Sequence, residues 1–311
     1  MPQCGLLRTV RGIMKRIAVL ICSTIAGLSV LSSCRVPDAP RTEMARPVMR
    51  PVSETASYSE EPWGKLDVLH STGGESLGVI VWVHGGAWIS GSRDFSEIPF
   101  YVAAMLEQGW TIASVEYPSA LHASPWQMTQ SVQKAVTYIR VNAATLGVDA
   151  RTVVLGGHSA GGWLAAMAAY NGELSDAVDA VIAFAAPLDL VQLSRNTEPL
   201  YGFTLASLTN VLLDCAPLEP TSSDACGRVL LARWSVNNTV RRGAPSVYLG
   251  YGDLDEVVPA SGSTSVVRKF EQTLGVNSVW VDVAEGSGHA VEGTNVRYLA
   301  MFLALVAQGS L

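Results

Sequence analysis

Charge is scarce in this chain. Only 15% of its 311 residues are Asp, Glu, Lys or Arg, while 49% are hydrophobic. Such a composition excludes a disordered or coiled-coil protein and is enough to bury a sizeable core. Acidic residues are absent ahead of Cys34, where four basic residues (Arg8, Arg11, Lys15, Arg16) stand; from Cys34 onward 17 basic residues face 27 acidic ones. An acidic body lacks the basic face that phosphate-backbone binding requires, so nucleic acid is not an expected partner. Long hydrophobic runs are missing as well. Residues 17–31 are apolar apart from Ser23, Thr24 and Ser29, short of the roughly 20 residues that a membrane span needs. There is no His-Glu-x-x-His, no Gly-x-Gly-x-x-Gly and no Gly-Lys-Ser/Thr, so no metal, dinucleotide or phosphate-loop cofactor is expected.

The basic stretch followed by a short apolar run has the layout of a secretory leader. Met14-Lys15-Arg16 would open a more typical one than Met1. The run closes in Leu31-Ser32-Ser33-Cys34, which resembles the lipobox of bacterial lipoproteins. That resemblance implies a signal peptide over 1–33, cleavage before Cys34, and a diacylated Cys34 anchoring an exported protein to a membrane of the cell envelope. Arg35 is not the aspartate associated with inner-membrane retention, which leans toward the outer membrane in a Gram-negative host. Residues 34–62 hold Pro37, Pro40, Pro47, Pro51 and Pro62 without apolar periodicity. They read as an extended tether. Cys4 and Cys22 fall in the leader, so Cys215 and Cys226 remain and are expected to form a disulfide in an oxidising compartment. Two cysteines with no second pair do not make a zinc site.

From Trp63 to the end, strand-like runs alternate with helical stretches. The strand candidates are 65–70, 79–83, 111–116, 152–156, 177–185, 246–251 and 278–283. Several are short continuous runs of β-branched residues, as in buried parallel strands. Between them, 131–146 carries apolar residues at helical spacing and closes at Gly147. A second helix is expected over 96–108, and an almost wholly apolar one over Val296–Ala307, too short to span a membrane. The pattern predicts one α/β domain with a mostly parallel sheet and helices on both faces. There is no internal repeat.

Two motifs carry chemistry. Gly157-His158-Ser159-Ala160-Gly161 stands between a β-branched strand and an Ala-rich helix. A serine at such a turn sits in strained backbone with its hydroxyl exposed above the sheet, and the flanking glycines avoid Cβ clashes. The following helix offers free N–H groups and partial positive charge. Upstream, the run 79–83 leads directly into His84-Gly85-Gly86-Ala87-Trp88. Glycines there let backbone donors approach a developing oxyanion, an interaction worth about 3–4 kcal/mol per donor.

Together these motifs resemble the α/β-hydrolase superfamily, and within it the bacterial esterase/lipase branch related to hormone-sensitive lipase and kynurenine formamidase. The resemblance covers about 63–311 and implies an α/β-hydrolase fold. It also implies an oxyanion hole from the amides of Gly86, Ala87 and Ala160. Two departures stand out. Many relatives have a third glycine where this chain has Ala87, and Asn-Tyr-Arg where it has Glu116-Tyr117-Pro118.

A serine needs a base, and in this fold the order is nucleophile, acid, histidine. Of His70, His84, His122, His158 and His289, only His289 comes late enough, in a loop after the last strand candidate. His84 and His158 read as scaffolding of the motifs, His70 and His122 as loop residues. For the acid, Asp253 and Asp255 both follow 246–251. The family pattern Gly-x-x-Asp-x-x-Val fits Asp255, leaving Asp253 to cap its own turn. Asp189, Asp282 and Glu285 read as solvated loop charges. An insertion at about 191–243, with leucines at helical spacing over 204–213, is expected to cap the carboxyl ends of the strands. Trp88 is a candidate lining residue.

The implied activity is hydrolysis of small carboxylic esters through Ser159, His289 and Asp255, without cofactor. An arylformamidase, feruloyl esterase or peptidase would use the same machinery. A non-catalytic binding lipoprotein is the remaining alternative, and the complete residue set argues against it.

Overall fold

The computed structural model describes residues 54–311 apart from 73–74, 172–173, 175, 196–202 and 217–225. The expected leader, Cys34 and the tether ahead of residue 54 lie outside the described residues.

Eight strands form one sheet in the order β1-β2-β4-β3-β5-β6-β7-β8. They are β1 (Glu54–Ser57), β2 (Lys65–Leu69), β3 (Gly78–Val83), β4 (Trp110–Val115), β5 (Val153–His158), β6 (Ala180–Phe184), β7 (Ser246–Gly252) and β8 (Val279–Ala284). β1 pairs antiparallel with β2, and β2 antiparallel with β4. From β4 across to β8 every pairing is parallel. The fold is that of the α/β-hydrolases.

All seven expected strands are present, with ends displaced by at most three residues. β1 was not expected, and it corrects the tether. The folded domain already includes Glu54, although 34–62 read as a proline-rich linker. Pro51 and Pro62 bracket the strand and none falls inside it, so its N–H groups are free for the ladder. The Thr55 hydroxyl also donates to Asp67 on β2 at 2.7 Å.

The central strands are apolar on both faces because both are covered. Val79, Val81 and Val83 of β3 and Val153 and Leu155 of β5 point into one cluster. Helices α2 (Pro125–Val141), α3 (Ala160–Tyr170) and α7 (Ala260–Leu274) cover that cluster. The alternate residues Ile80, Trp82 and Val154 point into a second cluster with Tyr101, Leu299 and Phe302. It lies beneath α1 (Phe100–Ala103) and α8 (Val296–Ala307). Helix α2 starts earlier than its apolar spacing indicated, because Ser124 and Gln127 form a capping box with Pro125 at the first helical position. The single helix expected over 96–108 is broken. Ile98 precedes Pro99 and is held extended (φ −74°, ψ 125°), since the proline ring excludes helical backbone from the residue before it.

Between β6 and β7 lie α4 (Leu190–Leu193), α5 (Leu205–Leu212) and α6 (Gly227–Arg233). Leu205, Leu212, Leu231 and Val236 join the same core cluster as α3. The Trp163 indole of α3 donates to the Trp234 carbonyl at 3.0 Å. Cys215 and Cys226 are disulfide-bonded across a sequence separation of 11 residues. Among the described residues no helix is long and apolar enough to cross a membrane.

Closing so short a loop removes denatured-state entropy worth about 3 kcal/mol. Replacing both cysteines by serine should therefore lower the free energy of unfolding by about that amount, read as a lower denaturant midpoint; an unchanged midpoint would show that the loop adds nothing to global stability.

Candidate active site

Strand β5 delivers Ser159 to the carboxyl end of the sheet. Ser159 itself is neither strand nor helix, with φ 53° and ψ −122°. Such a backbone is unfavourable for a residue with a Cβ and survives only where its surroundings enforce it. Here the Ser159 N–H donates to the Phe184 carbonyl of β6 at 2.8 Å, and α3 begins at the next residue. The turn also needs Gly161. A Cβ there would collide with the carbonyls of Val83 and His84, so α3 could not lie against the end of β3.

His289 and Asp255 arrive from the next strands across. Asp255 follows β7 and His289 follows β8. His289 Nδ1 lies 2.9 Å from Asp255 Oδ2, and Nε2 lies 2.9 Å from Ser159 Oγ. Asp255 is only 4% exposed. Its other oxygen accepts the N–H groups of Val257 (2.8 Å) and Val258 (2.9 Å). This carboxylate is thus held by two amides and one imidazole, which sets Nδ1 as the donor and leaves Nε2 free to accept. The sequence-assigned serine, histidine and aspartate form one hydrogen-bonded chain.

Asp253 does not cap its own turn as expected. It accepts the Ser287 N–H at 3.2 Å and pins the loop that carries His289. Asp282 is not a solvated loop charge either, since it accepts the Tyr248 hydroxyl and the Asn295 N–H, each at 2.8 Å.

The loop after β3 runs beside the serine. Gly86 (φ 116°), Ala87 (φ 53°) and Trp88 (φ 62°) all take left-handed backbone. A Cβ on Gly86 would strike the Ser90 carbonyl, whereas Ala87 shows that a third glycine is dispensable. Among the described residues the N–H groups of Gly86, Ala87 and Ala160 have no acceptor within the protein. Unpaired amides in the residue after the serine and in a loop that meets it at Gly85 suit a bound oxyanion. Trp88 does not line open space. It is 3% exposed and packs edge-on to Trp163, ring centroids 5.6 Å apart, because its backbone turns the indole inward onto α3.

A network absent from the sequence reading fixes that loop. His84 lies against acceptors on both sides, the Gly85 carbonyl and the Glu116 carboxylate, each at 2.8 Å. Its ring stacks on Tyr117 at 4.3 Å, and the Tyr117 hydroxyl donates to the His84 carbonyl at 3.0 Å. Burial raises the Glu116 pKa, but bonds from His84 and from the amides of Tyr117 and Arg93 outweigh it and hold the carboxyl below its ordinary value. Glu116-Tyr117, the departure from relatives, is therefore a brace for the His-Gly-Gly turn. Only the departure itself was visible in the sequence.

His158 is the second unforeseen contributor. Its Nε2–H donates to the backbone carbonyl of His289 at 2.7 Å, linking the residue before the serine to the histidine that faces it. Burial and the neighbouring His289 lower its pKa to about 4.

With this geometry in view, comparison with known proteins places the chain. The BD-FAE family model matches residues 66–270. The chain belongs to the BD-FAE family. Esterase LipC of Mycobacterium tuberculosis is 24% identical over 277 residues, covering 79% of this chain and 63% of the relative. Esterase LipQ of the same organism is 24% identical over 240 residues, covering 73% and 54%. The chain thus spans about half to three fifths of the length of these curated relatives. Among solved structures, a truncated carbohydrate esterase from gut microbiota superposes with a TM-score of 0.69 at 20% identity, over 83% of this chain and 97% of that one. Apo Thermogutta terrifontis esterase 2 gives 0.61 at 22% identity, over 86% and 99%. These likenesses establish the fold of this BD-FAE member.

A histidine neutral in the fold down to pH about 4 titrates near 6.5 when unfolded. Unfolding then takes up a proton between these values, so this part of the stability is complete above pH about 6.5 and is lost as the pH falls toward 4. His158→Gln should flatten the fall in denaturant midpoint across that window relative to the unaltered protein; parallel curves would contradict it.

Proposed function

We propose that this protein is a serine hydrolase that cleaves small carboxylic esters through an acyl-enzyme. The observation that carries the proposal is the unbroken chain from Asp255 through His289 to Ser159, at 2.9 Å for each link. The names of the two mycobacterial relatives, both esterases, support the same reading.

In this mechanism His289 Nε2 takes the Ser159 proton as Oγ attacks the ester carbonyl. The carbonyl oxygen gains negative charge and rests on the amides of Gly86, Ala87 and Ala160, which are already in place and need no reorganisation. Asp255 stabilises the imidazolium without taking its proton. The imidazolium then protonates the departing alcohol, the C–O bond breaks, and the acyl group stays on Ser159. Water, deprotonated by the same imidazole, attacks the acyl carbon, and protonation of Oγ releases the acid. The insertion between β6 and β7, packed on α3, shapes the pocket for the acyl or alcohol group. We further propose that the chain is exported and held at the cell envelope by lipid on Cys34, a reading that rests on the leader and lipobox alone.

A fluorophosphonate should label the protein, and Ser159→Ala should abolish the label; no labelling, or equal labelling of both proteins, refutes the catalytic role. In the same preparation p-nitrophenyl esters of short acids should be turned over far faster than aryl formamides, feruloyl esters or peptides. Because His289 must take the Ser159 proton, His289→Ala should lower kcat/KM by about a thousandfold or more; an unchanged kcat/KM would remove His289 from that role. In a bacterial host, Cys34→Ser should move the protein from the membrane fraction to the soluble one, and continued membrane fractionation would disprove the anchor.

A further inference from the structure

The proposed chemistry uses no arginine, yet three arginines surround one open pocket of about 480 Å³. It lies between the segment leaving β6 and helix α7. Arg195 comes just after α4, Arg228 from the first turn of α6, and Arg268 from α7, where it shares a face with the hydroxyls of Thr264 and Ser265.

Charge pairing does not explain this grouping. Among the described residues none of the three guanidinium groups forms an ion pair with a carboxylate. Among the described residues the one acidic side chain on the wall is already engaged. Asp189 Oδ1 accepts the Gln192 N–H at 3.2 Å, and Oδ2 accepts the Asn237 amide at 3.3 Å. Helix stability does not explain it either, since a cation in the first turn of α6 opposes the helix dipole. The three arginines are exposed to solvent, yet like charges on the wall of one pocket repel one another, and a bound anion relieves that repulsion. The chain as a whole carries a net charge of −6, so the pocket is a local reversal of sign.

We infer that this pocket, whose lining does not include Ser159, His289 or Asp255, is an anion-binding subsite for a ligand bearing two or more oxyanion groups. Guanidinium forks match the paired oxygens of carboxylate, sulfate and phosphate, and several forks on one cavity favour a multivalent ligand over a single ion. Thr264 adds a neutral donor to the same oxygens, while the Ser265 hydroxyl already donates to the Gly262 carbonyl. The shared chemistry fits two sources, a polyphosphate and an oligomer of acidic sugars.

The test is calorimetric titration of the folded protein with inorganic pyrophosphate and, separately, with a linear trimer of a uronic acid, in low salt. Saturable binding of either probe is expected, weakened at least tenfold in Arg195→Gln/Arg228→Gln/Arg268→Gln and weakened further as salt rises. Binding of pyrophosphate alone assigns a phosphate source, and binding of the trimer alone assigns an acidic glycan. A circular dichroism spectrum and a denaturant midpoint equal to the parent's show that the triple variant is folded, a readout that does not depend on the esterase reading. If neither probe binds, or if the triple variant binds as tightly as the parent, the subsite does not exist.

Discussion

The close approach of α3 to the end of β3, with no side chain between them at Gly161, is the constraint on which the rest of the site depends. Because that helix sits directly against the Val83 and His84 carbonyls, Ser159 is forced into left-handed backbone and lifted above the sheet. The same approach brings Gly85, at the head of the loop that carries the Gly86 and Ala87 amides, against Ser159. A strained serine and a row of unpaired N–H groups are each unfavourable alone. They persist because β3, β5 and β6 around them are buried on both faces, and packing there leaves the chain no alternative path.

The His289 loop is secured by a different means. Val291 anchors it in the second core cluster, and polar contacts from distant parts of the chain fix the rest. Asp253 takes the Ser287 amide, His158 donates to the His289 carbonyl, and Asp255 receives the ring. The histidine is therefore referenced both to the acid loop after β7 and to the serine turn after β5. Burial keeps His158 uncharged, so it holds the base in place without placing a second positive charge next to an imidazolium. In the proposed reaction this matters, because the imidazole must move a proton between Oγ and the leaving group without shifting its ring.

The upstream loop shows how a departure from relatives can keep the same function of the backbone. With Ala87 in place of glycine, the left-handed conformation is less free, and the turn is stabilised instead by the His84, Glu116 and Tyr117 contacts. Glu116 bridges to His84 and also lies 3.9 Å from Arg93, whose Nε reaches Asp67 on β2 at 2.9 Å. The edge of the sheet, including β1 through Thr55, is thereby connected to the His84–Trp88 turn.

Local rules made much of this legible in the sequence. Strand and helix order follows from apolar periodicity, and the elbow follows from glycine spacing around Ser159. His289 was fixed by chain order, and Asp255 by the family pattern around Gly252. The rest depends on contacts between residues far apart in the chain, which no local pattern encodes. Strand β1 was hidden because its four residues have little apolar character and gain stability only by pairing with β2. The inward turn of Trp88, the role of Asp253 and the His158–His289 bond exist only once the strands are side by side. Sequence by itself named the candidate residues for chemistry and the order of the elements that carry them. Tertiary structure decided which polar groups hold those residues still, because hydrogen-bond partners are chosen by distance in space.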